Sequence, residues 1–220
     1  MEQMAKAIEG GKKPLEVIKE FLTNHRRIIF NGDGYSAEWE KEAERRGLLN
    51  NKNTVDAMKC LKDEKNIEML DRQGVYSKVE LASRYEILLE NYNKAIRVEA
   101  LTALKMARNE IYPAALHYLR DITKTALDVK ATGVDNAFMV EDVKELSELL
   151  SIMKEQMKVL EKEIDNISIC ECDVMGQALL WRDKVFVSMN TLRKTVDIIE
   201  TKVDEDYWPI PSYVDLLFGI

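Results

Sequence analysis

Apolar residues in the second half of the chain recur at alternating steps of three and four. The longest such run lies between residues 143 and 167 and comprises Val143, Leu146, Leu150, Met153, Met157, Leu160, Ile164 and Ile167. This spacing is the heptad pattern of a helix that buries one stripe against neighbouring helices. It predicts a helix over about 137–167.

Two further long helices are predicted on either side of this run. The first begins at Ser77, which forms an S-x-x-E capping box with Glu80, and extends over about 77–129. Its expected inward positions are Leu81, Tyr85, Leu88, Tyr92 and Ala95, then Ile96, Ala100, Ala103, Ala107 and Ile111. Pro113 should kink this helix without ending it. The second spans about 173–203, with an inward stripe of Ala178, Trp181, Val185, Met189, Leu192, Val196, Ile199 and Val203.

The first 76 residues predict several short helices separated by turns. Pro14 suits the start of one helix, and Ser36 is a suitable N-cap for another that Gly47 ends. A turn, Asn31–Gly34, follows the short apolar run Ile28, Ile29 and Phe30 and precedes the Ser36 cap. Two more short helices are expected from Thr54 to about Leu61 and over Asp63–Gln73.

These elements predict an all-α protein. Three long helices joined by short loops should pack antiparallel as an elongated bundle. The expected organisation is a short-helix N-terminal subdomain (1–76), the long-helix bundle (77–203) and a C-terminal strap (204–220). Pro209 and Pro211 fix an extended backbone in the strap, which either packs on its own bundle or docks on another domain or subunit.

The charge and the cysteines narrow the function classes. A net charge of −7 with dispersed arginines argues against nucleic-acid binding, and no apolar run approaches the ~20 residues of a membrane span. A secretory signal is not recognisable either, so a cytoplasmic location is expected. Cys60, Cys170 and Cys172 are then expected to be reduced thiols.

One motif imitates a nucleotide loop. Gly32, Gly34 and Ala37 match G-x-G-x-x-A, but the pattern needs a buried parallel sheet, and no Val- and Ile-rich strand follows Gly47. A structural turn is therefore preferred. A loop that reaches a neighbouring subunit is the second interpretation, and a nucleotide site the third.

Three carboxylates on the long helices are candidate metal ligands. Glu86, Glu99 and Glu110 qualify by position, but the E-x-x-H motif of di-metal bundles does not occur. Glu99 is expected to be partly buried and paired with a basic residue. The two histidines, His25 and His117, are far apart in sequence and take no assigned role. The sequence therefore predicts no catalytic, cofactor-binding or metal-binding residue in this segment.

Three separated blocks resemble the C-terminal region of type III glutamine synthetases. They are Arg26–Asn50, Gly74–Thr102 and the closing run Trp208–Phe218, which matches W-P-x-P-(S/T)-Y-x-D-(L/I)-L-F. The resemblance implies an ATP-dependent ligase that joins ammonia to glutamate, with Mg or Mn ions in the full-length enzyme. The family's catalytic motifs are not found in residues 1–220.

The resemblance also implies what this segment does. It should be inactive alone and support architecture and assembly, with a preceding catalytic domain and neighbouring subunits of a homo-oligomer as partners. The alternative is an autonomous helical interaction module that binds a partner helix along an open Val143–Ile167 seam. Burial of that seam against the chain's own helices would exclude the alternative.

Overall fold

The structure, a computed structural model, describes residues 2–219, with the side chain of Ile28 outside the described residues. No β-strand occurs in this range, which confirms the all-α prediction. Contacts divide the chain into two compact units, one ending at Asn53 and one beginning at Thr54. The predicted three-part organisation stays a prediction. Across residues 2–219, no helix is both long enough and apolar enough to cross a bilayer.

The first unit contains three short helices. They are α1 (Glu2–Glu9), α2 (Pro14–Asn24) and α3 (Ala37–Arg45), with a 3₁₀ turn at Arg26–Ile28. The hydroxyl of Ser36 accepts the backbone N–H of Trp39, so it caps α3 as expected. Gly47 ends the helix at φ +70°, a conformation that other residues rarely adopt.

The second unit begins with two short helices and continues with the long ones. Its helices are α4 (Thr54–Lys59), α5 (Glu64–Arg72), α6 (Lys78–Met106), α7 (Tyr112–Ala131), α8 (Ala137–Ser168), α9 (Val174–Leu180), α10 (Phe186–Glu200) and α11 (Tyr213–Phe218). Short 3₁₀ turns lie at Cys60–Lys62 and Glu205–Tyr207. The capping box of Ser77 and Glu80 is present at the start of α6. Helices α4 and α5 contact α6, so they lie in the same unit as the long helices.

Pro113 widens the long helix instead of ending it. A π turn, Ala107–Ile111, joins α6 to α7, and the N–H of Tyr112 donates to the carbonyl of Ala107, five residues back. A proline ring normally clashes with the carbonyl four residues earlier, and a wider turn relieves that clash. The helix therefore runs on to Ala131 as predicted. A second π turn, Trp181–Val185, joins α9 to α10 without a proline.

The predicted seam of α8 forms the centre of the main core. Its members from Leu146 to Ile167 are buried, and Val143 is half-buried. They pack on α7 on one side and on α10 on the other. The alternative prediction of a seam held open for a partner helix is therefore wrong.

The chain direction alternates between the long helices. Lys202, just after α10, forms an ion pair of 2.8 Å with Glu145 near the start of α8. Likewise, the side-chain amide of Asn136, just before α8, donates to the carbonyl of Ala126 near the end of α7. Contacts between one helix's start and its neighbour's end require antiparallel packing.

The first half of α6 departs from the predicted phase. Leu88 is 43% exposed and Ala95 is exposed, whereas Leu89 and Asn93 are buried. Each step of four residues advances about 400° around a helix, so a run of such steps rotates the buried stripe by about 40° per step. The stripe therefore moves from a small cluster with Val55 and Ala178 into the main core.

Two cysteines depart from the expectation of reduced thiols. The structure pairs Cys170 with Cys172 as a disulfide in the loop between α8 and α9, with Cα atoms 5.3 Å apart. Because the chain turns irregularly between the two helices, residues two apart come within disulfide distance here.

Candidate functional site

The predicted turn after Phe30 is held by an aromatic and guanidinium cluster. The rings of Phe30 and Trp39 stack with centroids 4.3 Å apart. The guanidinium of Arg46 lies 5.8 Å and 5.7 Å from these two rings and donates to the backbone carbonyls of Arg27 and Ile29. Arg46, which directly follows α3, thus holds the backbone at Arg27 and Ile29 against that helix.

Glu42 balances the charge of this cluster. Its carboxylate accepts from Arg45 and from Arg46. The hydrogen bonds from Arg45 and then Arg46 lower the pKa of Glu42 to about 2. The group is an internal ion-pair network, with no feature that requires an external ligand.

The two glycines of the G-x-G pattern have different surroundings. A Cβ atom at Gly32 would lie 2.5 Å from Cζ of Phe30, whereas one at Gly34 would meet no atom within 4 Å. Glycine at position 32 is therefore explained by the neighbouring ring and not by a phosphate. Since a dinucleotide site also needs a sheet, and residues 2–219 contain no strand, the structural-turn interpretation is favoured.

The carboxylates considered as metal ligands lie apart on the surface. Glu86, Glu99 and Glu110 are all exposed, so the expected partial burial of Glu99 is wrong. Its expected ion pair is also missing among the described residues, and His117 is exposed. Among residues 2–219, no three His, Cys, Asp or Glu side chains are grouped closely enough to hold a metal ion.

An ion pair that no sequence pattern indicates joins helix α4 to the bundle. Arg182, in the second π turn, donates to Asp56 of α4 across 2.8 Å and to the adjacent Asp183. The hydrogen bond to Asp183 is the main cause that raises the pKa of Arg182 above its usual value. Burial raises the pKa of the nearby Tyr92. Because Asp56 and Arg182 are 126 residues apart, no local sequence pattern reveals this contact.

The first part of the predicted strap packs on its own bundle. Tyr207, Trp208 and Ile210 contact the main core. The ring of Tyr207 meets that of Tyr118 edge-on at 5.4 Å, and its hydroxyl donates to Asp121 across 2.6 Å. Residues 207–210 are therefore anchored to α7.

The second part of the strap is a helix instead of an extended segment. Ser212 and Asp215 form a reciprocal capping box that starts α11, so the cause of this helix is local in the sequence. Every apolar side chain of this helix is at least half exposed, between 56% and 83%: Tyr213, Val214, Leu216, Leu217 and Phe218. An anchored segment thus ends in a short helix with apolar side chains in solvent.

A groove runs beside this helix. It has a volume of about 470 Å³ and lies between the π turn at Ala107–Ile111, α10 and α11. Met106, Met189 and Leu192 line it, and Leu216 reaches it from α11. Helix α11 and this groove together form the candidate functional site, which we call the tail surface.

Comparison with known proteins identifies the family. Residues 14–130 match the glutamine synthetase C-terminal domain. The chain is 34% identical to a glutamine synthetase of Butyrivibrio fibrisolvens over 95% of its own length, and 30% identical to a type-3 glutamine synthetase of Dictyostelium discoideum over 92%. It is also 28% identical to a glutamine synthetase of Bacteroides fragilis over 98%.

These matches cover only part of each relative. The chain spans 30%, 28% and 30% of the lengths of the three proteins, respectively. The chain therefore belongs to the glutamine synthetase family, in which it corresponds to the C-terminal region of a type III enzyme.

Proposed function

We propose that this segment is the non-catalytic part of a cytoplasmic homo-oligomeric enzyme that uses ATP to join ammonia to glutamate, giving glutamine. The family match and the coverage of about 30% of each relative support this proposal. ATP and the Mg or Mn ions that hold its phosphates would bind residues of the preceding catalytic domain. The segment itself would supply architecture and contacts for assembly.

The tail surface is the observation that carries the assembly role. Five apolar side chains on a helix of six residues stand at least half exposed, beside a groove of about 470 Å³. Burying one such side chain stabilises a complex by roughly 1.5–3 kcal/mol before the costs of association. We propose that the catalytic domain of a neighbouring subunit covers this surface, since the chain spans only about 30% of each relative's length.

The anchoring of the tail lowers the entropic cost of docking α11 on a partner. Tyr207 and Trp208 hold the segment that precedes α11 against the bundle. A helix that starts from a fixed point loses less conformational freedom on docking than a free terminus does. The exposed helix is thus positioned for a partner that contacts the bundle nearby.

A pair of activity measurements tests the enzymatic part. The full-length protein, supplied with glutamate, ammonia, ATP and Mg²⁺, should form glutamine, and the 220-residue segment should not. Glutamine formation by the segment alone would contradict its non-catalytic role.

Substitution of the tail tests the assembly part. In the full-length protein, the double variant Leu217→Asp and Phe218→Asp should shift the oligomer toward smaller species in analytical ultracentrifugation and lower its activity. The matched control is the double variant Val79→Asp and Val98→Asp, which places the same two charges at exposed apolar positions of α6. Unchanged assembly of the double variant would contradict docking through α11.

A further inference from the structure

We infer that one face of α2 docks on the part of the full-length chain that precedes residue 1, within the same subunit. This inference rests on the proposed function, in which that part is the catalytic domain. It concerns a surface of the first unit, whereas the tail surface belongs to the second. Three features support it: an uncovered apolar face, a basic rim, and the place where the preceding chain is attached.

Helix α2 carries apolar side chains on two sides. Val17 is fully buried on one side. Leu15, Ile18 and Leu22 lie on the other side and are 79%, 41% and 53% exposed. Because successive residues turn by about 100° around a helix, these three lie within about 60° of each other, and Leu15 is about 160° from Val17. A helix that is apolar on both sides is typical of one that is covered on both.

The exposed side of α2 belongs to a groove that is already formed. The groove has a volume of about 430 Å³, and Ile29, just after the Arg26–Ile28 turn, lines it together with the three α2 side chains. The guanidinium of Arg46 donates to the carbonyls of Arg27 and Ile29, which fixes the backbone of this wall. A groove that is fixed in advance loses less conformational freedom when a partner docks.

The rim of this groove is basic. Lys19 and Arg26 line it, and among the described residues around it none is acidic. Within residues 2–219, neither of these two side chains forms an ion pair or a hydrogen bond, whereas the nearby Lys12 is paired with Glu20 at 2.9 Å. The complementary partner surface therefore has apolar side chains at its centre and carboxylates at its edge.

The attachment point of the preceding chain indicates which partner covers this face. The chain corresponds to a C-terminal region and spans about 30% of each relative, so most of the full-length chain lies before it. In the described segment, α1 and a turn at residues 10–13 separate that attachment point from α2.

The small size of the face also favours a covalently linked partner. A stable complex between separate proteins takes about 20–30 residues on each side, far more than the four apolar side chains present here. A domain that is linked to the segment is held at a high effective concentration, so a small surface is enough to dock it.

The test uses the full-length protein with a photoreactive benzophenone amino acid in place of Leu22. After irradiation, mass spectrometry should identify a cross-link from position 22 to the part of the chain before residue 1. The product should migrate as a single chain on a denaturing gel. The control position is Leu127, a leucine of α7 that is 64% exposed, and it should yield several-fold less of this product.

The outcomes separate this inference from the proposed function. Equal yields at the two positions would overturn docking of α2, and a product that migrates as two joined chains would overturn docking within one subunit. Glutamine formation is measured in parallel on the unmodified full-length protein. Glutamine formation without the cross-link would contradict this inference alone, whereas the cross-link without glutamine formation would contradict the proposed function alone.

Charge reversal tests the chemistry of the partner surface. Lys19→Glu combined with Arg26→Glu should lower the yield of the cross-link several-fold, because like charges would then face each other. The matched control, Lys144→Glu combined with Lys154→Glu, changes the net charge equally at exposed positions of α8 and should leave the yield unchanged. An unchanged yield in the first variant would overturn the acidic edge of the partner.

Discussion

The hydroxyl of Tyr207 donates to Oδ2 of Asp121 across 2.6 Å and joins the C-terminal segment to α7. Asp121 also accepts from Arg120, and these two bonds, that of Arg120 first, lower the pKa of Asp121. In turn, the bond to Asp121 raises the pKa of Tyr207. The chain therefore fixes its tail a few residues before the exposed helix α11.

Removal of this hydroxyl should loosen the tail. In Tyr207→Phe the ring contact with Tyr118 remains but the bond to Asp121 is lost, so amide hydrogen exchange in residues 208–218 should become several-fold faster. Tyr213→Phe, at a tyrosine that is almost fully exposed, is the control and should change little. Equal exchange in both variants would show that Tyr207 does not anchor the tail.

Truncation within the α8 seam should destabilise the second unit. Leu160 is fully buried, so Leu160→Ala should lower the free energy of unfolding by about 2–5 kcal/mol, as measured by urea denaturation. Its neighbour Val159 is half exposed, and Val159→Ala should cost less than about 0.5 kcal/mol. A small effect at both positions would mean that the seam is not packed as described.

The two glycines of the 31–34 turn should respond differently to the same change. Gly32→Ala pushes a methyl group into the ring of Phe30, which is stacked on Trp39, and should cost about 1–3 kcal/mol of stability in the first unit. Gly34→Ala has open space and should be nearly neutral. The Trp39 side-chain resonance during denaturation reports both. A larger effect at Gly34 would contradict the packing explanation.

Glu42 should make the first unit sensitive to acid. Its folded-state pKa of about 2 lies below the ordinary value of 4.5, so its stabilising contribution is complete above pH 4.5 and is lost as the pH falls toward 2. Glu42→Gln should be less stable at pH 6 and lose less stability between pH 4.5 and 2. The Trp39 resonance again follows unfolding, and an unchanged pH dependence in the variant would rule out this role.

Sequence patterns predicted the elements whose causes are local. The caps at Ser36 and Ser77 and the heptad of α8 depend on residues within a few positions of each other, and the structure contains all three. The resemblance to type III glutamine synthetases also identified the family correctly. Helix caps, a heptad and long blocks that resemble a family can each be recognised in a single sequence.

Other features depend on contacts between residues that are distant in the sequence, and no local pattern indicates them. The pairing of Arg182 with Asp56 needs the tertiary fold. Likewise, Leu89 is buried and Leu88 is exposed because of the helices against which α6 packs. Helix α11 is a different case, since its capping box at Ser212 is a local signal, whereas Pro209 and Pro211 just before it predict an extended backbone.

The π turn at Ala107–Ile111 gives the longest helix one place where its length is adjustable. Such a turn stores one residue more than an α-helical turn while the flanking segments keep their orientation. A chain shortened by one residue here would close the turn into ordinary helix and still direct Ala115 into the core, with Pro113 bending the axis instead. The same deletion inside α8, where each step of the seam is occupied, would rotate everything after it by about 100° and expose the apolar stripe.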